Sequence, residues 1–488
     1  MRKAGILLPI FSLPNSYGIG TLGKEAYQFV DFLKKSHQAY WQVLPLGPTS
    51  YGDSPYQSFS VFAGNPYFID LEMLVDDNLL TKEEIACLID ESTKINYEKL
   101  YNTRFLILRK AYERFLDKED MNHFIVENSD WLEDYAIFMT LKNYYNGKSF
   151  YEWDDSYKLR KKEALEKIKV DKKEDISFWE FVQYIFFKQW NLLKKYANEN
   201  GIMLIGDMPI YTSLDSSDVW SNSKEFQLDK DLQPKLVAGC PPDDFSPLGQ
   251  LWGNPLYNYK EMKKNNYRWW VRRVEVASKL FDIIRIDHFR GFEAYFAIPK
   301  SEKDATSGKW LKGPNVDLFK QIEKQLGKVH IIAENLGFLT DKVQIMLDKL
   351  GYPGMKVLEF GFDPKGDSDA MPHNLSYNMV VYPGTHDNMP IRAWYDSLDF
   401  ESKKFVKDYL YFNEDYDVGN RMIRACLASP AKMAIISFPD YLQKGLEARI
   451  NTPSTLGTNW CWRMEKGDMN DDLANYISYL QKIYRRTN

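Results

Sequence analysis

Short apolar runs recur along the chain, each closed by a polar or Gly/Pro turn, with segments of helical periodicity between them. Residues 7–10 form the first run. Residues 40–45 form the second, after a predicted helix whose apolar positions Ala26, Phe29, Val30 and Leu33 fall at i, i+3, i+4 and i+7. The third, 203–207, follows an aromatic-rich helix over 178–198 that closes on Asn-Glu-Asn-Gly. The fourth, 282–287, follows a helix with Trp270, Val274, Ala277 and Phe281 on one face. The fifth, 329–334, lies beyond a helix ended by Gly327. The sixth, 356–360, lies beyond a helix running from Thr340 as N-cap to Gly351 as C-cap. Met379–Tyr382 and Met433–Ser437 are the seventh and eighth.

Nearly continuous apolar strands alternating with helices describe a parallel sheet covered on both faces. Eight of them predict an α/β protein of the (β/α)8 TIM-barrel class. Two gaps exceed one helix plus its loops, and both are read as large insertions, between strands 2–3 and 3–4. The division expected is therefore 1–70 for the barrel start, 71–175 for a mostly helical insertion, and 176–208 for the third-strand region. Residues 209–267 form a loop-rich insertion that walls the site, and 268–488 hold strands four to eight with a C-terminal segment. The Lys/Glu run over 158–175 reads as a solvated helical face.

Composition narrows the partners. Lys and Arg number 63 against 68 Asp and Glu, a net charge of −5 over 488 residues, so a nucleic-acid partner is not expected. The aromatic content is high, with Trp 13, Tyr 32 and Phe 29, which suits a core and also flat apolar ligand surfaces. The four cysteines, Cys87, Cys240, Cys426 and Cys461, lie far apart without a C-x-x-C pair, and they predict reduced thiols in a cytoplasmic setting. Met1-Arg2-Lys3 and the apolar residues after it imitate a signal peptide, but Pro9 interrupts the run and no small-x-small cleavage site follows. No apolar run is long enough to predict a membrane span. Nothing in the pattern specifies an oligomer.

Gly18-Ile19-Gly20-Thr21-Leu22-Gly23 matches G-x-G-x-x-G. The glycines do not follow a strand directly, however, and the next strand ends on Leu44-Pro45 without an acid, so a dinucleotide site is not expected. The informative residues are acids at strand ends: Asp207, Asp287 and Glu334, with Asp387 just past the seventh strand. Singly, such an acid is more often a cap. In a barrel, however, C-terminal strand ends share one mouth, and like charges gathered there need a use. Arg285 lies two residues before Asp287 on the same side of the strand, which predicts an ionised Asp287 suited to nucleophilic attack. Glu334, in the same negative field, is expected to keep its proton and act as a general acid. Two carboxyls with opposite protonation tasks form a glycosidase arrangement, with His386 and Asp387 holding sugar hydroxyls. His288, His330 and His386 lack a close ligand spacing, His330 reads as a core residue, and neither metal nor cofactor is expected.

A family resemblance rests on Ser54-Pro55-Tyr56-Gln57-Ser58-Phe59-Ser60, Ala63-Gly64-Asn65-Pro66, Gly206-Asp207-Met208-Pro209-Ile210-Tyr211 and Asp218-Val219-Trp220. To these add Ala238-Gly239-Cys240-Pro241-Pro242-Asp243, the segment from Gly249 to Pro255, and the segments around Asp287, Glu334 and Asp387. Arg449-Ile450-Asn451-Thr452-Pro453 and Asn459-Trp460 complete the set, so it spans essentially the whole chain. In combination they resemble the 4-α-glucanotransferases (amylomaltases, disproportionating enzymes). The resemblance implies Asp287 as nucleophile, Glu334 as acid/base and Asp387 as transition-state stabiliser. It also implies that Tyr56, Asp207, Gln250, Trp252, Arg285, His386 and Asn459 line subsites for maltodextrins and other α-1,4-glucans. Cys240 and Ser454 depart from the family pattern, away from these positions. A plain α-1,4-glucan hydrolase using the same carboxylates is the alternative reading.

Overall fold

The computed structural model describes residues 1–487 apart from 243–245 and 338. Eight strands build the central sheet: β1 Lys3–Leu7, β2 Tyr40–Gln42, β3 Met203–Met208, β4 Ile283–Ile286, β5 Ile331–Ala333, β6 Gly354–Val357, β7 Met379–Tyr382 and β8 Met433–Ser437. They pair in parallel in the order β6-β7-β8-β1-β2-β3-β4-β5. The Ala333 N–H donates to the Pro353 carbonyl at 2.9 Å, which links the two edges and brings the barrel to closure. The (β/α)8 architecture read from the apolar pattern is the one observed.

The strands are short and almost entirely buried, as two-sided coverage requires. The chain's longest helix, Lys173–Glu199, covers the barrel with Trp190, whose indole N–H reaches the Leu280 carbonyl at 3.1 Å. Its N-terminal half meets the helices of 71–171 through aromatic pairs such as Phe105–Trp179 and Phe115–Phe181. Much of the aromatic content is therefore spent on joining this helical layer to the barrel.

Three local expectations are corrected. The first strand is Lys3–Leu7 and not 7–10: the Leu8 N–H still bonds the Gln42 carbonyl, but Pro9 has no donor, and the chain turns into a 3-10 helix at Ile10–Ser12. The sixth strand ends at Val357, and Leu358–Phe360 is a helical turn at the barrel mouth. His330 is exposed and precedes β5, because the N-terminal strand ends face solvent.

A second, four-stranded antiparallel sheet was not visible in the sequence. Its order is Gln250–Pro255, Leu236–Cys240, Ala294–Pro299 and Lys309–Lys312. Two strands come from the insertion after β3 and two from the chain just beyond β4, so the insertion is bonded to the segment that follows Asp287. Val237, Phe296, Ile298 and Ala305 form its own small core. The glycines of the G-x-G-x-x-G segment shape a loop: a Cβ on Gly23 would stand 2.1 Å from an Asp70 carboxylate oxygen.

Candidate active site

Four barrel strands deliver charged side chains to one mouth. Asp207 lies in β3 and Arg285 in β4, paired in register, and Asp287 follows one residue beyond β4. The Arg285 Nη1 donates to both Asp207 oxygens at 2.7 and 2.6 Å and approaches Asp287 Oδ1 at 3.3 Å. The Tyr56 hydroxyl bonds Asp207 Oδ2 and the His386 Nε2, each at 2.8 Å, and the two rings stack with centroids 5.4 Å apart. His386 Nε2 lies 3.4 Å from Asp387 Oδ1. Glu334 follows β5, and its Oε2 accepts the backbone N–H of His288, the residue after Asp287, at 2.7 Å. Its Oε1 accepts the Leu336 N–H at 2.6 Å. Asp207, Arg285, Asp287, Glu334, His386 and Asp387 are thus one connected group, with Tyr56 supplied by the loop after β2.

The electrostatics differ from the expectation in one respect. Arg285 is engaged mainly by Asp207, so it does not hold the Asp287 carboxyl low. Burial in the mouth pushes Asp287 well above the usual carboxylate range, and Asp207, Glu334 and Asp387 add like charge while Arg285 pulls the other way. Its side chain still opens to the cleft, with 31% of its surface accessible. Burial also lifts Glu334, opposed by Arg285 and the two backbone N–H donors. Both carboxyls therefore keep a proton to higher pH than an exposed carboxyl would. His288 is driven down to about 3 and His386 is lowered, both chiefly by burial, so both imidazoles are neutral.

On the insertion side, the Trp252 indole N–H donates to Gln250 Oε1 at 3.0 Å, and its ring meets the His288 ring edge-on at 4.9 Å. Gln250 and Trp252 thus brace each other against the residue beside Asp287. The Asn459 amide bonds Thr452 and Thr455 and closes the 452–459 loop. Asp243 lies outside the described residues. Among the described residues no three His, Cys, Asp or Glu side chains group as a metal site would require, and no helix is long and apolar enough to cross a membrane.

Sequence reasoning missed two residues at Asp387. The Asn451 amide donates to Asp387 Oδ1 at 2.6 Å, and Arg449 Nη2 donates to the Asp387 carbonyl at 3.1 Å. Both belong to a motif that had been recognised without a role. Their separation from Asp387 along the chain gave no local signal.

A closed parallel barrel whose mouth holds an acid pair, flanking acids and one fixed guanidinium defines a barrel enzyme built for glycosidic bonds. The family model for 4-alpha-glucanotransferase matches residues 8–470. The 4-alpha-glucanotransferase of Clostridium butyricum is 48% identical over 98% of this chain and 99% of its own length. That of Streptococcus pneumoniae TIGR4 is 44% identical over 100% and 98%. Among solved structures, the amylomaltase of Streptococcus agalactiae in complex with acarbose superposes with a TM-score of 0.97 at 40% identity over the full length of both chains. The chain belongs to the 4-α-glucanotransferase family, glycoside hydrolase family 77, and is an enzyme of that class.

Proposed function

We propose that this enzyme transfers α-1,4-glucan segments between maltodextrins by a retaining double displacement. The observation that supports the reading is the hydrogen bond from the His288 N–H, the residue after Asp287, to Glu334 Oε2 at 2.7 Å, which ties the Asp287 segment to the other carboxyl. Glu334 gives its proton to the leaving glycosidic oxygen while an Asp287 oxygen attacks the anomeric carbon, forming a glycosyl ester and freeing the shortened glucan. The 4-hydroxyl of a second glucan then attacks that carbon, its proton passes to Glu334, and the ester bond to Asp287 breaks. Asp387, oriented by Asn451 and His386, holds sugar hydroxyls as the ring flattens. Transfer outpaces hydrolysis where an acceptor sugar occupies the water path, and Trp252 with Gln250 on the insertion sheet supplies that wall. The acarbose held by the Streptococcus agalactiae amylomaltase supports an α-glucan-shaped cleft here. Cys87, Cys426 and Cys461, none of them in a disulfide, support a cytoplasmic setting.

Incubation with maltotriose alone tests the reading. A ladder of longer maltodextrins together with glucose is expected, and the newly formed linkages should be α-1,4 by NMR. Maltose and glucose without longer species would instead mark a hydrolase, and β-configured new linkages would exclude retention.

A further inference from the structure

The turn that carries His386 and Asp387 is held at its back by a residue that no step above uses. Thr385 donates both its N–H and its hydroxyl to Asn388 Oδ1, each at 2.9 Å, which closes the turn around Asp387. The Asn388 side chain also lies beside the Glu359 carboxyl, both of them against Gly384. Glu359 stands on the helical turn after β6, is 7% exposed, and its N–H bonds the Pro383 carbonyl at the foot of the same turn at 3.1 Å. Its Oε1 has no hydrogen-bond partner and presses on Gly384, where a Cβ would meet it at 2.8 Å and Asn388 Cβ at 3.0 Å. A buried carboxyl with one oxygen unbonded is costly unless something constrains it, and its contacts fall on the backbone and side chain of the Asp387 turn.

We propose that Glu359 is a positioning residue for glucan transfer, fixing the Asp387 carboxylate from behind through Asn388 and the close contact at Gly384. It touches neither substrate nor a reacting atom. Asn451 holds the Asp387 carboxylate and Arg449 its carbonyl, while Glu359 supports the same turn at Pro383 and Gly384, so Asp387 is tied to two separate elements. Burial lifts Glu359 well above the usual carboxylate range, and Asp440 adds to that, so the protonated carboxyl is the form that fits here. An amide has the same shape and the same neutrality. The inference rests on the proposed transfer chemistry.

The experiment measures kcat and KM for maltotriose disproportionation in wild type, E359A, E359Q and G384A, with the folded fraction followed by circular dichroism. E359A and G384A should lose about tenfold to a hundredfold in kcat with KM within about twofold, the scale of a misplaced catalytic group. E359Q should return kcat to within about threefold of wild type. Wild-type kcat in E359A and G384A overturns the proposal. So does a loss that only tracks the folded fraction, or an E359Q as impaired as E359A. If E359A does not fold, G384A decides alone. Should wild type itself give no longer maltodextrins, the transfer reading fails, and Glu359 is then judged on kcat for glucose release by the same criteria.

Discussion

Replacing Asp207 by Asn keeps its shape but removes one negative charge from the mouth and releases Arg285 from its principal partner. In the present structure the guanidinium lies 2.6 Å from Asp207 and 3.3 Å from Asp287, with Arg285 and Asp207 both buried. At an effective dielectric of about 20, unit charges 3.3 Å apart interact by about 5 kcal/mol before desolvation is counted. Closing that distance to a normal ion-pair contact adds about 1 kcal/mol, or nearly one pKa unit. Removing the Asp207 charge lowers Asp287 further, so a fall of about one to two units is expected. Attack requires ionised Asp287, so activity rises with pH as Asp287 loses its proton. Lowering Asp287 moves that rising limb to lower pH. The assay is kcat on maltotriose across the acid range in wild type and D207N. Absolute kcat in D207N should also fall, because the Tyr56 hydroxyl and His386 lose an ionised neighbour, but the limb position does not depend on that loss. An acid limb that stays in place, or moves to higher pH, would show that Arg285 already neutralises Asp287 in the working enzyme.

Three further outcomes are expected. N451A removes a charge-assisted hydrogen bond to Asp387, a loss of about 1.5–3 kcal/mol, so kcat should fall about tenfold to a hundredfold with KM little changed; a change within twofold would remove Asn451 from this role. W252A opens the wall beside His288, and its transfer-to-hydrolysis ratio, read from longer maltodextrins against glucose, should drop severalfold; an unaltered ratio dismisses Trp252 as an acceptor wall. Asp440 is buried and pushed up to about 7, so it contributes stability that is present below about pH 4 and lost as pH rises towards 7. The unfolding free energy of wild type from denaturant titration should therefore fall relative to D440N across that window, by up to about 4 kcal/mol, and a constant difference between the two would contradict the burial argument.

The eight-strand barrel was legible because burial on both faces leaves strands that are apolar throughout, and the spacing of caps and glycines separates them. The acids at strand ends were legible for a related reason. A barrel sends its C-terminal strand ends to one place, so Asp207, Asp287, Glu334 and Asp387 could be grouped without knowing any distance. The insertion sheet was not legible, because its strands pair across β4 and its segments, rich in Gly and Pro, carry no period of their own. The bonds of Asn459 were not legible for a similar reason: a motif identifies a residue, but only the fold shows which atoms its amide bonds.

The linear order of residues by itself determined the strand–helix alternation, the acids carried to the mouth and the membership of a family. The tertiary structure decided where the charge of Arg285 goes, which depends on two carboxylates 80 positions apart in sequence competing for one guanidinium across adjacent strands. It also decided what surrounds Asp387, since Arg449 and Asn451 reach it from one distant segment and Glu359 reaches its turn from another. Electrostatic competition and burial depend on distance in space, and no pattern along the chain encodes that distance.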